Sequence, residues 1–334
     1  MASPASVPNR INAGKTTAFD LSLKVWSGEI LAEWDKAVKL MDKHEVRSLP
    51  AGAESVQFPA HGNVTATYHT IGDNVITDAD DAAADYLKTV NQGEILIYPD
   101  REVVIPMLLS KVEERIAAPD WRSAYARKMG TSLAQFAEQN VFRTLYQAAS
   151  TASGAIYTGS PAGGGVTTLA LDTGAKVLTA LLTLQEQMDT ANVPEEGRFA
   201  AMPPSVYMLL ISDTSVRDYI DSDYNPMMVN GQLSESRIFR VAGFELVKTN
   251  NIPGASLGTI NQLIPGSKGN DYNVAMTNVQ LVCWQREAVG TLKAMDISLE
   301  VDRIPEYRGD LVQASYVMGH GKLRPEAAAI YKSA

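Results

Sequence analysis

The side chains from which this sequence could assemble a reactive centre are four histidines, one cysteine and 38 carboxylates. Histidine is the commonest general acid–base group, and two histidines four residues apart on a helix with a glutamate between them mark a zinc hydrolase. His44, His61, His69 and His320 make no such pair: Glu45 follows His44, but the residue four positions on is Ser48. Cys283 lies in the apolar run Val279-Gln280-Leu281-Val282-Cys283-Trp284 and reads as a buried, inert thiol. A lone cysteine also excludes an intrachain disulfide and fits a reducing compartment. No G-x-S-x-G elbow occurs. The histidines therefore read as surface or hydrogen-bonded core residues, and the chain is predicted to have no catalytic residue, no cofactor and no metal, and not to be an enzyme.

Three further stretches imitate ligand sites. Gly14-Lys15-Thr16 suggests a phosphate loop, but that loop needs a glycine where Asn9 stands, and no strand precedes it. Asp221-Ser222-Asp223-Tyr224-Asn225 resembles the start of a calcium loop, but Pro226 occupies the turn-glycine position and Gln232 that of the bidentate glutamate. Asp78, Asp80, Asp81 and Asp85, set among alanines, read as an exposed acidic loop tip.

The composition agrees with a non-enzymatic reading without specifying it. The 334 residues carry a net charge of −9, are 45% hydrophobic and 20% charged, and suffice for one or two folded domains. An acidic chain is poorly suited to gripping phosphates, which needs clustered Lys and Arg; it suits a wall that faces nucleic acid without adsorbing it. The N-terminal MASPASVPNRINAGKT lacks the apolar core of a secretory signal, and no apolar run is long enough to span a bilayer.

The elements that must position these residues come in a distinctive order. Residues 1–18 read as an arm, followed by an amphipathic helix capped by Ser27, about four turns long, with Ile30, Trp34 and Val38 on one face. Residues 49–105 read as a long two-stranded excursion: Val56 and Phe58 alternate with polar neighbours, the acidic tip follows, and Glu94 to Tyr98 returns as a strand. Such a hairpin has few large apolar residues of its own and is marginal alone. Asp120 to Ala149 is then predicted as a helix about 45 Å long, with Met129, Leu133, Ala137, Val141 and Leu145 at helical spacing. Residues 150–170 read as a loop. A helix carrying Val177, Leu181, Leu184 and Met188 follows, then a strand at 199–202 and a helix opened by Pro203 and Pro204. Beyond these come loops at 221–236 and 250–273, a strand pair around Gly243, a strand over 273–284, and two extended segments between Ile297 and Met318.

The segment Met318-Gly319-His320-Gly321-Lys322-Leu323-Arg324-Pro325-Glu326-Ala327-Ala328 closely resembles the C-terminus of the major capsid proteins of T-seven-like (autographivirus) podophages. Ala288-Val289-Gly290-Thr291-Leu292, Gln57-Phe58-Pro59, Ile95-Leu96-Ile97-Tyr98, Arg122-Ser123-Ala124-Tyr125 and Gly130-Thr131-Ser132-Leu133-Ala134 resemble the same family in the same order. The resemblance implies an α+β tailed-phage capsid fold of the Hong Kong ninety-seven type. Its parts would be an N-terminal arm and helix (1–48), an extended hairpin loop (49–110), a peripheral domain on a long spine helix (111–170 and 296–334) and an axial domain (171–295).

The implied function is assembly into hexamers and pentamers of an icosahedral virion shell that encloses double-stranded DNA without sequence-specific binding. Its partners would be copies of itself, a scaffolding protein, a portal protein and a decoration or minor capsid protein, with assembly in the host cytoplasm and no membrane. Subunit contacts are predicted at Arg47, Phe58, Pro59, Tyr68, Asp80, Asp81, Gly319, His320, Gly321 and Arg324. A bacterial nanocompartment shell of the same fold, and a soluble enzyme or binding module, are the rival readings.

Overall fold

A computed structural model describes residues 29–62, 66, 68–69, 71, 92–110, 121–213, 240–254, 270, 272–307 and 309–333. The residues called arm (1–18), acidic tip (78–85) and calcium-like loop (221–236) lie outside these, as do most of 250–273.

The chain is organised by one helix that serves two cores. Residues 29–37 form α1, Trp121–Ala149 form α2, Gly174–Thr190 form α3 and Pro204–Ser212 form α4. The 29 residues of α2 make a rod about 44 Å long. Its first half buries Ala126, Met129, Leu133, Ala134 and Ala137 against Ile30 and Trp34 of α1 and a four-stranded sheet. Its second half buries Val141, Phe142, Leu145 and Ala148 in a larger core beneath a six-stranded sheet. Glu138, wholly buried, stands where the two cores meet. Its carboxylate accepts from the backbone N–H of Lys39 and from Asn251 Nδ2, which join the turn after α1 and the stretch after the strand Phe244–Lys248 to the rod. Burial raises its pKa above the ordinary carboxylate range.

The strands are β1 (Glu45–Ser48), β2 (Val56–His61), β3 (Gln92–Ile97), β4 (Val103–Ser110), β5 (Val166–Thr168) and β6 (Arg198–Met202), then β7 (Arg240–Val241), β8 (Phe244–Lys248), β9 (Val279–Gln285), β10 (Val289–Ile304), β11 (Gly309–Lys322) and β12 (Ala328–Lys332). The four-stranded sheet has the order β1-β10-β11-β4, the six-stranded sheet β5-β12-β9-β6-β8-β7, and β2 pairs only with β3. In the six-stranded sheet β6 and β9 are buried along nearly their whole length, as strands covered on both faces must be. The helix α3 lies on it with Val177, Leu181, Leu184 and Met188 at 1% exposure or less, the stripe expected from their spacing. Thr173 caps α3 by accepting from Lys176 N.

Several expectations change. The α1 helix, described from residue 29, ends at Ala37, short of Val38 and Met41; Lys39 and Leu40 have already turned to present backbone N–H groups to Glu138. The segment 103–110 leaves the extended hairpin and joins the four-stranded sheet, where Pro106 is opposite Gln313. A proline there needs an edge strand, and β4 is the edge. The strand expected over 273–284 begins only at Val279, because Asn278 takes a left-handed turn with φ 61°. Sheet membership does not follow the chain order of the expected domains. The hairpin β10–β11 starts at Val289, and β12, expected with the spine helix, lies between β5 and β9 in the six-stranded sheet. Ala328-Ala329-Ile330-Tyr331 is a wholly buried apolar run, which fits a central strand and not a tail.

Candidate functional site

The hairpin β2–β3 meets the body at a small apolar cluster. Val56 and Phe58 of β2 and Ile97 of β3 pack on Leu292 of β10 and on Leu323, which follows β11. The alternation in β2 explains it: Val56 and Phe58 point in, Gln57 and Pro59 point out. The body accommodates the hairpin by omitting side chains. A Cβ on Gly290 would stand 3.1 Å from the Phe58 ring, and one on Gly321 2.7 Å from Ile97 Cγ1. One on Gly319 would collide with the Tyr98 carbonyl. These glycines serve close approach; none has a positive φ.

Above the cluster, the Arg47 guanidinium lies 4.3 Å from the Phe58 ring centroid and donates to Glu45 Oε1 and to the Gln57 carbonyl. Arg324 donates from Nε to Glu326 Oε1 (2.9 Å) and from Nη1 to Glu287 Oε2 (2.8 Å). Arg47, Phe58, Pro59 and Arg324 line one groove of about 670 Å³ at the hairpin root.

Beneath it runs a buried polar chain. His44 Nδ1 is 2.7 Å from the Leu40 carbonyl, so it must carry the proton and donate. Neutral His44 then presents a bare Nε2 to the Thr291 hydroxyl at 2.6 Å, which donates to it. The Thr291 oxygen is left to accept from His320 Nδ1 at 2.8 Å. The Leu40 carbonyl thus fixes the His44 tautomer, and the Thr291 hydroxyl passes that choice on to His320. Burial holds the His44 pKa down at about 4 and that of His320 at about 3.

A second polar cluster holds the exit of the hairpin. Asp100, 6% exposed, follows β3. Its N–H donates to the Met318 carbonyl (3.0 Å), Asn270 Nδ2 reaches its Oδ1 (2.8 Å) and the Tyr98 carbonyl (2.7 Å), and the Tyr272 hydroxyl lies 2.7 Å from its Oδ2. The same hydroxyl accepts from His320 N (2.8 Å) and is 3.4 Å from the His320 carbonyl. Burial pushes the Asp100 carboxyl up to about 7 and the Tyr272 phenol well above its ordinary value.

The structure thus separates the residues predicted as subunit contacts. Phe58 was expected on a neighbouring subunit; at 2% exposure its ring is consumed by its own chain, because the hairpin root needs it as its core. Gly319 and His320 are buried and Gly321 faces Ile97, so these act inside the subunit as well. Arg47 and Arg324 are half-buried, Pro59 is exposed and Tyr68 is fully exposed on the hairpin. Asp80 and Asp81 lie outside the described residues. Sequence reasoning missed Asp100, Asn270, Tyr272 and Thr291, whose partners are distant in the chain. His44 and His320 are hydrogen-bonded core residues, which fits the general reading of the histidines but not the placing of His320 at a subunit contact, and His61 and His69 are exposed. Cys283 is wholly buried, and burial pushes its thiol up. Among the described residues no group of His, Cys, Asp or Glu is placed to hold a metal ion, and no helix is long and apolar enough to cross a membrane.

Comparison with known proteins identifies this arrangement. The chain is 28% identical over 328 residues to the major capsid protein of Escherichia phage T7, covering 92% of this chain and 90% of the relative. Its fold superposes on the capsid structure of the cyanophage P-SCSP1u with a TM-score of 0.68 at 28% identity, covering 89% of this chain and 88% of that one. The mature capsid of bacteriophage PhiM1, at 13% identity and TM-score 0.65, shares the fold over 99% of this chain and 92% of its own. The fold is that of the tailed-phage capsids, α+β in content, as the sequence resemblance implies. Residues 57–332 match the Gp10A-like family, described as major capsid protein, and the chain belongs to that family.

Proposed function

We propose that this chain is the shell subunit of a short-tailed phage and associates with copies of itself as hexamers and pentamers around double-stranded DNA. The observation that carries the reading is the hairpin. Its root is fixed to its own subunit, but farther out Tyr68 and Ile71 are exposed at 102% and 99%. Large apolar side chains on a protruding ribbon are held in water at a cost that a neighbour can relieve. Contacts of this kind are heterologous, one patch meeting a different patch on the next copy, and they close into rings by rotation.

Within this reading the interface side chains are Arg47, Pro59, Tyr68, Asp80, Asp81 and Arg324, while Phe58, Gly319, His320 and Gly321 set the hairpin's seat from inside. The part carrying the six-stranded sheet is the axial domain, and the part carrying the four-stranded sheet the peripheral domain. Scaffolding and portal proteins are the partners that start and shape assembly, a decoration or minor capsid protein is a further one, and the shell is built in the host cytoplasm and ends in the virion. Chemistry on a substrate plays no part.

Electron microscopy of the chain co-expressed with a scaffolding protein from the same phage tests the proposal. Closed polyhedral particles are expected. A monomer that forms none in the presence of that scaffold would sink it.

A further inference from the structure

The hairpin leaves the body through Tyr98-Pro99-Asp100, and this exit is held by a carboxyl group that no cation compensates among the groups bonded to it. Its bonded partners come from two other segments: Asn270 and Tyr272 from the stretch before β9, and the Met318 carbonyl and His320 N–H from β11, the last acting through Tyr272. The other titratable groups nearby are the buried Tyr316 phenol on β11, which feels the Asp100 charge, and the buried His320 imidazole, which packs edge-on against the Tyr272 ring; Arg101, next in the chain, is exposed.

We propose that Asp100, Asn270 and Tyr272 form a proton-operated latch that fixes the extended hairpin against β11 while Asp100 is neutral and loosens it when Asp100 ionises. The hydroxyl of Tyr272 supplies the mechanism. With Asp100 neutral, its Oδ2–H donates to the Tyr272 oxygen, which also accepts from His320 N. The Tyr272 proton is then free to turn to the His320 carbonyl, so the phenol grips β11 twice. With Asp100 ionised, Tyr272 must donate to the carboxylate instead. The bond to the His320 carbonyl is lost, and a charge is left buried, held among the described residues by hydrogen bonds from neutral groups alone. Buried charge without a counter-ion is costly, and the shortest relief is for the exit to open towards water.

The direction with pH follows from linkage. The ordinary value for Asp100 is 3.8 and the folded value is about 7, so the closed state holds the proton more tightly. The stabilisation is fully present below the ordinary value and is lost as pH rises through the folded one. The latch belongs to the single subunit and does not depend on the shell reading.

Hydrogen exchange of the full-length chain, read as protection of the backbone over residues 93–99, tests it. Wild type should lose protection about tenfold between about pH 6 and about pH 8, after correction for intrinsic exchange. Asp100→Asn, which keeps shape without an ionisable group, should show a flat profile. Tyr272→Phe should show low protection already at the acid end. Wild-type protection that does not fall, or an equal fall in Asp100→Asn, would overturn the latch; so would Tyr272→Phe retaining wild-type protection at acid pH. The buried Cys283 thiol reports global folding: if Asp100→Asn exposes it to a thiol reagent, the Tyr272→Phe result decides.

Discussion

The six-stranded sheet and the extended hairpin solve the same problem at opposite scales. The sheet is sealed by its own subunit: α2 and α3 cover it, and Trp284 sits at 1% exposure between the rings of Phe142 and Phe199, with its indole N–H donating to the Lys43 carbonyl. The hairpin buries three apolar side chains at its root, Val56, Phe58 and Ile97, and then carries bare aromatic and aliphatic groups farther out. Each region therefore stores its stability in a different place. Breaking the sheet should unfold the subunit, whereas breaking the hairpin should change only how copies meet.

The sharpest test of that contrast is Trp284→Ala. Removal of a large, fully packed ring should cost about 3–5 kcal/mol and lower the urea midpoint of the whole subunit, with loss of soluble chain. Phe58→Ala should cost about 3 kcal/mol locally. Hydrogen exchange should rise over 56–61 and 93–97, while the urea midpoint moves far less than for Trp284→Ala. Equal global losses from the two would erase the distinction between the regions.

Acid should probe the polar chain that lies between them. The folded values of His44 and His320 are about 4 and about 3, below the ordinary 6.5, so the unfolded chain binds more protons in between. Stability is therefore present above 6.5 and falls as pH drops through that window. Between about pH 6.5 and 5 each histidine costs about 2 kcal/mol, and Asp100, shifted the other way, returns about as much as one of them. A loss in urea-derived stability smaller than the two histidines alone would give is expected, because Glu138, like Asp100, is shifted the other way by burial. Gly321→Val forces branched carbon against Ile97 and should cost about 1–3 kcal/mol, lifting the hairpin root and reducing particle yield. The smallest effect on the subunit belongs to Tyr68→Ser: a change within about 0.5 kcal/mol in isolation, with particle yield reduced. An unchanged yield would remove Tyr68 from the interface.

Much of this division was legible in the sequence. The α2 stripe, the α3 stripe and the alternation of Val56 and Phe58 are periodicities, and periodicity reports which face is buried. It does not report what does the burying, which is why Phe58 reads equally well as a contact with a sister copy and as the seat of its own hairpin. The hairpin-exit cluster was invisible for another reason. Asp100 and Tyr272 are ordinary residues in ordinary contexts, separated by more than half the chain, and only the fold brings the phenol to the carboxyl. Likewise Ala328 to Tyr331 looks like a tail until its neighbours β5 and β9 are known.

That strand has a consequence for timing. β12 is hydrogen-bonded between β5 and β9, yet leaves the ribosome after every other strand of its sheet. A nascent chain stopped anywhere before residue 328 holds a split sheet with two raw edges, on β5 and β9, and cannot present a finished subunit surface. The six-stranded sheet is therefore whole only once residues 328–332 are in place.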